Sequence, residues 1–113
     1  MRYTLAVVFG LTVAVAAGCS SPTSTANSCG SSGANANVNF SSSNHYSPTS
    51  TTITHGQSVC WQSGNVTHTV TADSGAFDVT LPPGQIFIHQ FPTAGVFPYH
   101  CTIHGETGTV TVN

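Results

Sequence analysis

From residue 37 onward the chain alternates short apolar-rich stretches with clusters of Gly, Pro, Asn and Ser. No stretch keeps the three-and-four spacing of an amphipathic helix. Val, Ile, Thr, Phe and Tyr dominate the stretches, and these side chains suit a pleated, half-buried surface. The pattern predicts strands over 37–41, 51–55, 58–63, 67–72, 85–91, 95–101 and 108–113, with a short one near 77–80. Seven to eight short strands separated by turn residues predict an all-β antiparallel sandwich. Trp61, Phe77, Phe87, Phe91, Phe97 and Val110 are its predicted core.

The first 36 residues break this pattern. Arg2 precedes an apolar run from Leu5 to Ala17, interrupted only by Gly10 and Thr12. The run is too short for a spanning helix and reads as a secretory signal over residues 1–18. It closes on Ala16-Ala17-Gly18-Cys19, which resembles a bacterial lipoprotein cleavage site with Cys19 as the lipidated first residue. Ordinary cleavage after Ala16, leaving Cys19 as a thiol, is the alternative. Residues 19–36 are almost entirely Ser, Thr, Asn, Gly, Ala and Pro, the composition of a flexible tether. Residues 37–113 remain as the folded domain, in an exported, envelope-located and membrane-anchored protein.

Charge narrows the range of partners. Arg2 is the only Lys or Arg, so beyond the signal the acidic residues Asp73, Asp78 and Glu106 face no permanent cation. Nucleic acids and anionic membrane surfaces are recognised through cationic side chains, so neither is an expected ligand. Strong charge steering toward a partner is not expected either. Recognition has to rest on shape and an apolar patch.

The chemistry concentrates in two places. Asn65-Val66-Thr67-His68 leads into one predicted strand, and Tyr99-His100-Cys101-Thr102-Ile103-His104 leaves another. Together they offer one thiolate and two imidazoles, the trigonal His2Cys set that copper favours. A purely structural sandwich with Cys101 in a disulfide would leave the pattern of His68, Cys101 and His104 unexplained.

The text around these ligands is more specific. Phe97-Pro98-Tyr99 feeds Cys101, and Val59-Cys60-Trp61 leads to His68. With Asn37-Val38-Asn39-Phe40, Ile53-Thr54-His55-Gly56-Gln57, Asp73-Ser74-Gly75-Ala76-Phe77-Asp78 and Leu81-Pro82-Pro83-Gly84-Gln85, these stretches resemble the small cupredoxins of the plastocyanin and amicyanin type. The resemblance covers roughly residues 37 to 113. It implies a Greek-key cupredoxin sandwich or barrel, and one copper ion held by His68, Cys101 and His104. It also implies that the exposed edge of His104 is the electron port, rimmed by Ile103, Gly105, Pro82 and Pro83, where redox partner proteins dock. The Thr69 amide is expected to donate to the Cys101 sulfur, and the Thr69 and Thr102 side chains to tie the two segments together.

The chain departs from the resemblance at the axial position. Related proteins place a Met shortly after the second histidine, whereas here Gly105-Glu106-Thr107-Gly108 follows His104 and the only Met is Met1. A thioether is therefore excluded. The options are the Glu106 carboxylate, an oxygen from Thr107 or the Thr67 carbonyl, or no axial ligand. Glu106 as a solvated loop residue is the plain alternative.

The remaining cysteines and histidines follow from this assignment. With Cys19 lipidated and Cys101 on the metal, Cys29 and Cys60 are left, and an oxidising compartment permits them to pair. Two unpaired thiols are the other outcome. Cys60 alternates with Val59 and Trp61, so the bridge would pin the tether to the outside of the sandwich. His100 faces away from Cys101, and a relay through it to a second copper would need histidines from elsewhere. His45, His55 and His89 read as turn or outward strand positions.

The leading function is a mobile one-electron carrier, not an enzyme. A copper-buffering or delivery protein of the envelope is the alternative, together with a small copper redox enzyme if the metal keeps an open or Glu-ligated position.

Overall fold

The computed structural model describes residues 28–41 and 45–113. Among them nine strands form two sheets: β1 (Ala36–Ser41), β2 (His45–Ser47), β3 (Ser50–Ile53), β4 (Ser58–Gln62), β5 (His68–Ala72), β6 (Asp78–Leu81), β7 (Ile86–Gln90), β8 (Gly95–His100) and β9 (Thr107–Val112). One sheet has the order β2-β1-β4-β7 and the other β3-β9-β8-β5-β6. Two neighbouring pairs, β1 with β4 and β3 with β9, run parallel. Parallel neighbours cannot be joined by a hairpin, so the chain crosses between sheets to form them. This is an all-β sandwich. The strand absent from the sequence pattern is β2, three residues long and held by its pairing with β1.

Strand alternation builds the core. On β4, Val59 and Trp61 point inward, and register places Val38 and Phe87 on either side of Trp61. From the other sheet Val70, Ala72, Tyr99, Val110 and Val112 close over them. Trp61 is fully buried, and Tyr99 meets its ring edge-on at a centroid distance of 5.4 Å. Burying one such aromatic side chain contributes on the order of 1.5–3 kcal/mol. Of the predicted core, Trp61, Phe77, Phe91 and Val110 are buried, while Phe87 and Phe97 are half-buried at its edge. Phe40, Tyr46 and Tyr99 are the large aromatic core side chains that the sequence pattern did not single out.

One close approach depends on a glycine. Gly108 lies opposite Tyr99 in the β8–β9 ladder, and a Cβ there would fall 2.4 Å from the tyrosine ring tip.

Cys29 and Cys60 are joined by a disulfide. Cys29 sits in a 3-10 turn, Cys29–Ser31, capped by the Ser28 side chain. Its amide donates to Gln62 Oε1 at 3.0 Å, and Asn35 exchanges two bonds with Ser58. Residues 28–35, tether-like in composition, are thus fastened along β4. Cys60 points away from the core face, as alternation requires, yet is fully buried beneath this cover. The signal, Cys19 and residues 19–27 of the tether lie outside the described residues, among which no helix is long and apolar enough to cross a membrane.

Candidate metal centre

His68 opens β5 at the end of the sandwich where β4 closes. The loop between them is fixed by Ser63, whose hydroxyl donates to the Pro82 carbonyl and accepts from the Gln85 amide, and by the Gly84 amide on the Gly64 carbonyl. The His68 ring stacks on Phe40 at 4.4 Å with a 14° tilt, and only 2 % of the residue is exposed. Ring plane and position are therefore set by packing before any metal is considered.

Cys101 follows β8, and the loop after it is closed at both ends. Its amide donates to the Glu106 carbonyl at 2.9 Å, and its carbonyl accepts from the Gly105 amide at 2.9 Å. Gly105 makes this turn with φ +78°, a conformation that other residues rarely adopt. His104 rides on the loop with its side chain partly exposed, while Cys101 is buried.

The donor atoms converge. Cys101 Sγ lies 3.9 Å from His68 Nδ1 and 3.8 Å from His104 Nδ1, and the two nitrogens are 3.3 Å apart. The point equidistant from all three is about 2.1 Å from each, the length of an imidazole–metal bond.

Hydrogen bonds hold the sulfur and the two segments together. The Thr69 amide donates to Cys101 Sγ at 3.3 Å. The Thr69 hydroxyl accepts from the Thr102 amide at 2.8 Å and lies 3.3 Å from the Thr102 hydroxyl. Behind them, Tyr46 donates its phenol to the Thr69 carbonyl at 2.7 Å. Burial, then the nearby Cys101 and Glu106, push the Tyr46 phenol far above its ordinary pKa, so it stays a neutral donor.

Glu106 is not a solvated loop residue. Its side chain is 1 % exposed, with Oε1 2.5 Å from His68 Nδ1 and Oε2 4.0 Å from His104 Nδ1. Oε2 is buried without a hydrogen-bond partner. One donor atom from each of His68, Cys101, His104 and Glu106 fits within 4.8 Å of the others. An orphaned carboxylate oxygen beside a buried thiol and two imidazoles is costly unless a cation joins them, so the residues fit a metal ion. The closed loop turns Glu106 inward, which the short Cys101–Glu106 spacing alone did not reveal.

Known structures share this frame. The chain is similar to a purple cupredoxin from Nitrosopumilus maritimus, with 28% identity over 69% of this chain and 99% of that one, at a TM-score of 0.62. It is similar to amicyanin from Paracoccus versutus at 27% identity, over 73% of this chain and 83% of that one, again at 0.62. An amicyanin variant described in its Cu(I) state matches at 25% identity, over 68% and 80% of the two chains, at 0.58. The fold is that of the cupredoxins. No protein-family model matches the chain, and no curated protein matches it in sequence.

Within this cupredoxin fold the other histidines stand apart from the site. His100 faces the opposite side of β8 and places Nδ1 2.6 Å from the exposed Asp73 carboxylate. His55 contacts the Asn113 carbonyl through Nδ1 at 3.1 Å, and His45 is exposed on β2. His89 corrects the sequence reading. Rather than pointing outward, it shares the inward row of β7 with Phe87 and packs between Phe77 and Phe91 at 4.7 and 4.8 Å. Phe40 was read only as part of a strand. Its packing on His68 depends on the long-range pairing of β1 with β4, although the alternation in Asn37-Val38-Asn39-Phe40 already set its side.

Proposed function

We propose that this protein is a one-electron carrier holding a single copper ion through His68, Cys101 and His104. The observation that carries the reading is the closed triangle of Sγ and two Nδ1 atoms, sized to hold one metal ion. Copper bound there supplies reversible one-electron exchange between Cu(I) and Cu(II).

The protein's part is to hold the donors still. Phe40 clamps the His68 ring, the Thr69 amide orients the sulfur, and the Thr69–Thr102 clasp fixes the loop that bears His104. Such supporting contacts set ligand orientation and tune the potential. Glu106 would supply a fourth, oxygen donor where the resemblance implies a thioether. His104 is the electron port, since its side chain alone among the three reaches solvent. Ile103, its neighbour in sequence, is 52% exposed, and Val66 (43% exposed), Pro82 and Pro83 are exposed on loops at the same end of the sandwich. This apolar rim is the docking surface for redox partner proteins, in keeping with a chain whose only Lys or Arg is Arg2.

The same proposal includes export and anchoring, with residues 1–18 as the signal and a lipid on Cys19. The disulfide to Cys60 then makes Cys29, rather than residue 36, the point where the tether leaves the domain.

Optical and electron paramagnetic resonance spectra of the Cu(II)-loaded protein test the assignment. Cys101→Ser is expected to abolish the intense thiolate-to-copper absorption. Survival of that band would overturn the ligand set.

A further inference from the structure

Two of the four converging donors are acids. Cys101 as a thiolate and Glu106 as a carboxylate bring two negative charges into a site where their side chains are almost wholly buried. Buried charges are ordinarily offset by a Lys or Arg. This chain has one such residue, Arg2, far up the sequence in the predicted signal. The bound ion therefore has to supply the balance. A dication with two neutral imidazoles, a thiolate and a carboxylate makes a neutral unit. A monocation in the same cage leaves one uncompensated negative charge out of contact with water, which is strongly disfavoured.

Donor hardness acts in the same direction. Carboxylate oxygen suits divalent ions, whereas Cu(I) prefers thiolate and thioether. Two imidazoles, one sulfur and one oxygen around a common centre also make an ordinary ligand set for zinc.

We infer that Glu106 makes the site select ions by charge, holding Zn2+ and Co2+ in preference to Cu(I), so that zinc displaces copper from the reduced carrier and silences it. The inference rests on the proposed metal site, and adds a selectivity and an inhibitor to it. Occupancy by zinc, which has no redox couple of its own, keeps the domain folded and its docking rim intact but leaves it unable to carry an electron.

The test is metal competition on the full exported chain, comparing wild type with Glu106→Gln and Glu106→Met. Affinities for Zn2+ and Co2+ are measured against a chelator in air, and for Cu(I) against a Cu(I)-specific chelator without oxygen. Wild type is expected to bind Co2+ with the strong visible bands of a four-coordinate ion and a thiolate charge-transfer band. Either neutral variant is expected to lose at least tenfold in Zn2+ and Co2+ affinity relative to Cu(I). Equal loss for all ions, or no change, would overturn selection by charge. Cys101→Ser separates this from failure of the site itself: if Co2+ binds Cys101→Ser as tightly as wild type, the metal is elsewhere. Two variants are used so that poor folding of one leaves the other to decide.

Discussion

The amide of Thr69 donates to the sulfur of Cys101 at 3.3 Å, joining residues 32 positions apart in sequence. One residue thus serves the site three ways: its amide holds the sulfur, its hydroxyl receives the Thr102 amide at 2.8 Å, and its carbonyl takes the Tyr46 phenol. Thr69→Val keeps shape and amide but removes the acceptor for Thr102. Losing this part-buried bond is expected to cost about 0.5–1.5 kcal/mol. A lowered Tm with the thiolate absorption shifted but still present is the expected result. An unchanged Tm would mean that the clasp contributes nothing.

Gly108→Ala tests the contact between the loop's far end and the core. The new methyl would meet the Tyr99 ring at 2.4 Å, and that ring is locked against Trp61 and Tyr46. Overpacking of this kind costs about 1–3 kcal/mol. The double variant Gly108→Ala with Tyr99→Leu is expected to recover part of the loss, which denaturant midpoints would show.

Much of this was legible in the chain, for reasons that differ from element to element. Strand alternation placed Val59 and Trp61 inward and Cys60 outward, and the sheet keeps that arrangement. The register is robust because a slip of one residue would put Trp61 in water. By contrast β2 is only three residues long, too short to show a period, and exists through its pairing with β1. His89 was misread because a lone histidine between Ile88 and Gln90 looks polar, whereas its neighbours in space are Phe77 and Phe91. At the site, the three candidate donors could be picked out from sequence because His68 opens a strand, Cys101 follows another, and His104 lies three residues further along the loop. The inward turn of Glu106 could not, since it depends on two backbone hydrogen bonds closing the loop.

The disulfide yields a prediction about stability. Closing the segment between Cys29 and Cys60 restricts the unfolded chain by an amount worth about 2–4 kcal/mol. Replacing both cysteines by Ala is expected to lower stability by that much and to leave the copper spectrum unchanged, because the bridge lies on the outer face of β4. Peptide mapping without reductant is expected to recover residues 29 and 60 linked in one fragment.

His89 predicts an acid dependence. Burial among aromatic rings lowers its pKa from the ordinary value of 6.5, so the folded state favours the neutral ring. In the unfolded chain the ring protonates first as pH falls. Its contribution is therefore complete above about pH 6.5 and is lost as pH drops toward the lowered folded value. Urea midpoints of wild type and His89→Phe, measured from pH 8 to pH 5, check this. The variant is expected to lose less stability on acidification, and parallel curves would rule the effect out.

With copper bound, the colour and potential of the site are expected to depend on Glu106. The carboxylate is buried beside the other three donors, with Oε1 2.5 Å from His68 Nδ1 and Oε2 without a hydrogen-bond partner. As an axial ligand it would draw copper out of the plane of the three equatorial donors and weaken the overlap with Cys101 sulfur. Absorption is then expected to gain at the higher-energy sulfur band, giving a green or red protein rather than a blue one. Glu106→Met substitutes a neutral, soft donor, which favours Cu(I) and restores the weak axial bond of blue sites. A tenfold change in the relative affinity for the two oxidation states is 59 mV for one electron, and a rise in potential of about 60 mV or more is expected. Glu106→Gln separates the effects, since it removes the charge and keeps an oxygen of similar reach. If Gln raises the potential while the spectrum stays green or red, charge governs the potential and geometry the colour. If all three proteins share one spectrum and one potential, Glu106 does not touch the copper, and the axial position belongs to another oxygen or to none.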